Sequence, residues 1–143
     1  DKQLPLNEPA ALLGWLGESI TTPMGGSGGV LLSLLFTAAA EGYDPQQNPG
    51  KAFLKGLERM KEYGGARPGD RTMIDALQPA FDAMAADNSW TEVVEAARQG
   101  AASTAEMSKA GAGRSAYLNA DSLQGHIDPG AKAVSEVFAA IQR

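Results

Sequence analysis

The sequence predicts an all-α protein, an antiparallel up-and-down bundle of helices, and three observations carry that prediction. Apolar residues recur three and four apart along most of the chain, with almost no strand-like alternation. Helix starts and stops are punctuated by residues suited to them: Pro9, Pro23, Gly64-Gly65, Ser89 with Glu92, and Asp128 with Pro129. One apolar segment, Val30 to Ala40, is hydrophobic nearly all round, as a helix in the middle of a bundle would be.

The elements follow in order. A first helix spans roughly Pro9 to Thr22, with Leu12, Leu13, Trp15, Leu16 and Ile20 as its buried stripe, and Pro23 stops it. After "GGSGG" a second helix runs from about Gly29 to Glu41. The turn "DPQQNP" leads into a third, Pro49 to Tyr63, with Phe53, Leu54, Leu57 and Met60 on one face and Lys51, Lys55, Glu58 and Lys61 on the other. Gly64-Gly65 ends it. A fourth, from about Asp70 to Ala86, presents Met73, Ile74, Leu77, Phe81 and Met84. Ser89 caps a fifth, with Glu92 completing a capping box, and it reaches about Lys109. A long loop, "AGAGRSAYLNADSLQGHI", precedes a last helix capped by Asp128 with Pro129 at its first position.

With 143 residues, 43% hydrophobic and 20% charged, the chain has the size and composition of one ordinary globular domain with one core. A net charge of −5 argues against a nucleic-acid partner. An acidic protein that binds an anion must use local glycine amides, a helix terminus or a metal. There is no cysteine, hence no disulfide framework and no thiol chemistry, which fits a cytoplasmic protein. The longest apolar run is too short to span a membrane. Zinc-ligand spacing, a Ser-His-Asp set and a basic stripe are all missing from the sequence.

What stands out lies between the helices, in "MGGSGG", "YGGARPGDRTM", "AGAGRSAYL" and "HIDPGA". Glycines before a helix suit either a flexible connection or a phosphate, because backbone N–H groups can approach an anion that the helix dipole also favours. In an antiparallel bundle alternate connections fall at the same end, so several such loops can converge on one rim. Asp70 and Asp128 read first as helix caps, with ligand contact a compatible second role for Asp128. His126 reads as a loop residue, Arg114 as a carboxylate or phosphate partner, and the methionines Met60, Met73, Met84 and Met107 as packing residues.

Taken together and in this order, "GGSGG", "PGDRTM", "GAGRSAYL" and "DPGA" resemble the nucleotide-binding L domain of dihydroxyacetone kinases, from about Pro9 to the C-terminus. The resemblance implies a closed barrel of about eight antiparallel helices, of which about six are legible here, with ATP or ADP and a pair of Mg2+ ions at one rim. It also implies a partner K domain or subunit that holds dihydroxyacetone covalently on a histidine while the L domain supplies the phosphoryl group. Carried over position by position, Gly26, Ser27, Gly28 and Gly29 would cradle the phosphates, Gly64, Thr72 and Met73 would border the adenosine, Arg114 would reach the nucleotide, and the turn Asp128-Pro129-Gly130 would close the site.

Two departures matter. Gly28 stands where the family usually has serine. The family's Gly-Asp-Gly-Asp-x-Gly loop, whose aspartates hold both magnesium ions, is missing, so no metal ligand and no catalytic residue is assigned. The chain is therefore expected to be a partial L domain, inactive alone, with apolar flanks covered by further chain or by a homodimer contact. Three functions remain open at this stage. They are the nucleotide-binding part of an ATP-dependent kinase, an ADP-coenzyme subunit of a phosphotransferase-system kinase, and a helical interaction module without turnover.

Overall fold

A computed structural model of the chain describes residues 8–11, 13, 14, 17, 26–107 and 125–142. Among the described residues all regular structure is helical and no strand occurs. They belong to two compact units, Asp1–Gly64 and Gly65–Arg143.

The first unit holds helical residues at 9–11, 13, 14 and 17, then α1 (Gly26–Gly42) and α2 (Pro49–Gly64). Of the expected first stripe Leu13 is buried, while Leu12, Trp15, Leu16, Ile20 and the stop at Pro23 lie outside the described residues. The helix expected from Gly29 begins three residues earlier, so the glycine stretch forms a first helical turn rather than a turn before the helix. Leu35, Ala38 and Ala39 are buried along α1, whereas Leu31, Leu32, Leu34 and Phe36 are half-buried, so the helix is buried on one face and not all round. Small residues let α1 and α2 approach closely. A Cβ on Gly56 would stand 2.2 Å from the carbonyl oxygen of Leu35, so only glycine fits there. Asn48 accepts from the N–H of Gly50 at 2.6 Å and caps α2 ahead of Pro49. Gly65, at φ 75°, takes the left-handed conformation that ends α2 as the sequence predicts.

The second unit comprises α3 (Ile74–Ala85), α4 (Trp90–Ser103), a 3-10 turn (Thr104–Glu106) and α5 (Pro129–Gln142). Ala76, Ala101 and Ala131 form its alanine-lined centre, flanked by Val134. Phe138 stacks on Trp90 at 5.5 Å and meets Phe81 edge-on at 6.2 Å, geometry that adds about 0.5–1.5 kcal/mol per pair beyond area burial. A Cβ on Gly100 would lie 2.1 Å from the carbonyl oxygen of Asp75, which Pro79, lacking an N–H, cannot serve as the next-turn donor.

Two boundaries differ from expectation. The α3 helix starts at Ile74 instead of Asp70, because Arg71 sits at φ 61°, outside the helical region. The α4 helix stops at Ser103 instead of running to about Lys109; Thr104 opens the 3-10 turn and Met107 is extended at ψ 122°. At the far end of α3, Asp87 at φ 60° and the bond from Asn88 N–H to the Ala83 carbonyl at 3.1 Å close a left-handed cap. Ser89 accepts from Glu92 N–H at 3.2 Å, so α4 begins as the sequence predicts.

Candidate functional site

In the first unit the first turn of α1 is Gly26, Ser27, Gly28 and Gly29. The first four N–H groups of a helix have no carbonyl in their own helix, and the helix dipole makes this end electropositive. A glycine inside a helix costs about 1 kcal/mol relative to alanine, so its presence calls for a steric reason. At Gly28 packing supplies none, since among the described residues a Cβ there would meet nothing within 4 Å. Gly64, by contrast, has a local reason: a Cβ would come within 3.0 Å of the Leu31 side chain.

In the second unit the site residues sit on two segments, 67–75 and 126–131. The loop "RPGDRTM" is folded around carboxylates. Asp70 accepts from the N–H of Arg67 at 2.9 Å and donates its own N–H to the Arg67 carbonyl at 3.1 Å, so it closes the turn and does not cap α3 as expected. Asp75, in the first turn of α3, reaches back instead: its Oδ1 accepts from Gly69 N–H at 2.6 Å and its Oδ2 from Thr72 N–H at 2.9 Å. Those amides would otherwise suit an anion, with Gly69 at φ 98° and Arg71 at φ 61° curling the backbone. The Asp75 carboxylate already fills that place. The loop is thus rigid and contributes side chains and edges rather than a phosphate cradle. The hydroxyl of Thr72 accepts from Ile74 N–H at 3.1 Å, fixing the entry to α3.

The second segment is held just as firmly. Asp128 Oδ2 accepts from Ala131 N–H at 3.0 Å, so Asp128 caps α5 as expected, with Pro129 at the first helical position. Its own N–H donates to the buried hydroxyl of Thr104 at 2.8 Å, and that hydroxyl donates to the Ala101 carbonyl at 2.6 Å. Arg71, only 2% exposed, places Nη1 3.7 Å from Asp128 Oδ1 and donates through Nη2 to the carbonyl of His126. A Cβ on Gly130 would lie 3.1 Å from Asp128 Oδ2 and 3.5 Å from Met73 Cβ.

Within this unit Met73, Asp128 and Gly130 are therefore direct neighbours, joined by Pro129 in the turn and by Thr72 beside Met73. The glycine turn and Gly64 belong to the first unit. Arg114 lies outside the described residues. Sequence reasoning missed Arg71, Asp75 and Thr104; the one local signal was an acidic residue three positions after Thr72, the spacing of a capping box. His126 is exposed and contributes its backbone carbonyl. Among the described residues no group of three or more His, Cys, Asp or Glu side chains could hold a metal ion. No helix among them is long and apolar enough to cross a membrane.

Comparison with known proteins gives this arrangement a context. The sequence matches the DAK2 domain over residues 1–143. It is 48% identical over 141 residues to a dihydroxyacetone kinase of Citrobacter freundii, covering 98% of this chain and 26% of that protein. It is 38% identical over 147 residues to the triokinase/FMN cyclase of Mus musculus, covering 95% of this chain and 25% of that one. The chain thus spans about a quarter of the length of these relatives. The crystal structure of the C. freundii kinase in its native form superposes with a TM-score of 0.80 at 46% identity, over 97% of this chain and 24% of that one. The same kinase in complex with AMP-PNP and Mg2+ gives 0.76 at 43% identity, with the same coverage. By sequence and by fold, this chain belongs to the DAK2 domain family.

Proposed function

We propose that the chain is the nucleotide-binding L domain, in part, of a cytoplasmic dihydroxyacetone kinase. In this role it holds ATP or ADP and supplies the phosphoryl group to dihydroxyacetone presented by a K domain or subunit. One observation carries the reading. Gly28 sits in the first turn of α1, where glycine costs helix stability, and among the described residues no neighbour requires it. A glycine that packing does not use leaves the backbone open to a ligand, and the electropositive end of a helix suits phosphate. The likeness to a kinase solved with AMP-PNP supports the same reading.

Gly26, Ser27, Gly28 and Gly29 then take the phosphates, Gly64, Thr72 and Met73 border the adenosine, Arg114 pairs with phosphate, and Asp128, Pro129 and Gly130 close over the nucleotide. Mg2+ accompanies AMP-PNP in the C. freundii complex. The described residues of this chain do not supply a ligand set for it, and no step is assigned to them through a metal.

The test is a calorimetric titration of the full-length protein with ADP, followed by exchange of bound nucleotide against free ATP. Binding with free exchange supports an ATP-dependent kinase. ADP that binds and does not exchange would move the assignment to a coenzyme-type subunit, and no binding at all would leave an interaction module.

A further inference from the structure

Among the described residues Arg71 is the one large charged side chain that the fold buries outside the proposed ligand contacts, and it is held there at a backbone conformation that costs energy. It is 2% exposed, at φ 61°, a left-handed value that side-chain-bearing residues seldom adopt. Its guanidinium reaches the 126–131 turn, donating to the His126 carbonyl and pairing with the Asp128 carboxylate at 3.7 Å. The neighbouring amides at Gly69 and Thr72 are clasped by Asp75, so the loop that carries Arg71 cannot easily swing. On the other side Thr104 receives the Asp128 N–H at 2.8 Å. Asp128 is therefore fixed from three directions: its cap bond to Ala131, Thr104 beneath it, and Arg71 across from it.

We infer that Arg71 is a positioning residue for nucleotide binding, acting through Asp128. It locks the segment carrying Thr72 and Met73 to the first turn of α5, and so sets the spacing between Met73 and Gly130. This inference rests on the nucleotide reading above. A planar guanidinium suits the task, because one group can hold a carboxylate and a carbonyl at once. Breaking a buried pair on one side strands the other charge, so both partners act as a unit.

The test uses the full-length protein and the ADP dissociation constant, with Arg71→Met, Arg71→Lys, Asp128→Asn and the double variant Arg71→Met/Asp128→Asn. Asparagine keeps the cap acceptor and removes the charge. Arg71→Met should raise Kd about tenfold or more, and Arg71→Lys, which keeps the charge and loses the fork, should recover only part of the loss. The double variant should bind no worse than the weaker single one, because Arg71 acts through Asp128. Amide exchange at Ala131 and Lys132, measured without ADP, should speed up in Arg71→Met. Parent-like affinity in Arg71→Met, or single effects that simply multiply in the double variant, would overturn the proposal. Should Arg71→Met fail to fold, the double variant, whose pair is neutral, is compared with Asp128→Asn: equal affinity supports the role and a further loss overturns it. A parent protein that does not bind ADP is a separate result that removes the nucleotide reading, and the positioning role falls with it.

Discussion

The N–H of Asp128 donates to the hydroxyl of Thr104 across 24 residues of sequence, at 2.8 Å and out of contact with solvent. That bond ties the capping residue of α5 to the residue that follows α4. Thr104→Val keeps the shape and deletes the acceptor, leaving a buried donor unsatisfied at a cost of about 1–3 kcal/mol. Thr104→Ser restores the oxygen and should recover most of the stability. Urea unfolding of the three proteins checks this, and equal midpoints would show that the bond contributes nothing.

Two glycines in the first unit should respond to alanine in opposite ways. At Gly56 the new methyl would meet the Leu35 carbonyl at 2.2 Å, so α1 and α2 must separate, and a loss of about 1–3 kcal/mol is expected. At Gly28 the methyl meets nothing within 4 Å, so helix propensity alone acts and stability should rise by about 0.5–1 kcal/mol. If the backbone there faces a phosphate, the same Gly28→Ala change weakens ADP binding. Gain of stability with loss of affinity is the signature to look for in paired denaturation and titration experiments.

What the sequence made legible was local. Ser89 with Glu92, Asp128 with Pro129, and Gly65 after α2 all act within one helical turn, and each appears where a short window of residues places it. The glycine stretch misled the placement of the α1 start because four glycines around a serine carry the signal of a turn, while the structure continues the helix through Gly26. Arg71 was not legible at all. Arginine gives no hint of a left-handed backbone, and the bonds that hold it there come from Asp128 and His126, more than fifty positions away. Asp70 read as a cap because it precedes an apolar run, but Arg71 delays the helix to Ile74, whose N–H the Thr72 hydroxyl accepts while Asp75 reaches back to the loop amides. The resemblance placed Met73 and Gly130 in one site, and they are neighbours.

Activity of the 143-residue chain alone is expected to be nil, since it lacks the aspartate loop of the resembled family. Losing the charge clamp on a transferring phosphate typically costs several kcal/mol of barrier. Magnesium-dependent phosphorylation of dihydroxyacetone by this chain mixed with a K partner would mean that its own carboxylates form the metal site.

Arg114 is assigned to the phosphates through "GAGRSAYL". Arg114→Ala in the full-length protein should weaken ADP binding by about 1.5–3 kcal/mol, the range for a hydrogen bond to a charged group. The loss should shrink for adenosine, which has no phosphate to pair. An equal loss for both ligands would place Arg114 away from the phosphates.

The most direct measurement is calorimetric binding of ADP to the full-length Gly26→Val protein, with circular dichroism and melting temperature recorded alongside. Gly26 opens α1, where a β-branched side chain is tolerated by the helix but blocks the approach of an anion to its first amides. A phosphate cradle at the start of α1 predicts parental helix content, a melting temperature close to the parent's, and no detectable ADP binding. A Gly26→Val protein that binds ADP as tightly as the parent would contradict it, because the glycine-rich start of α1 would then be a connection and not a phosphate cradle.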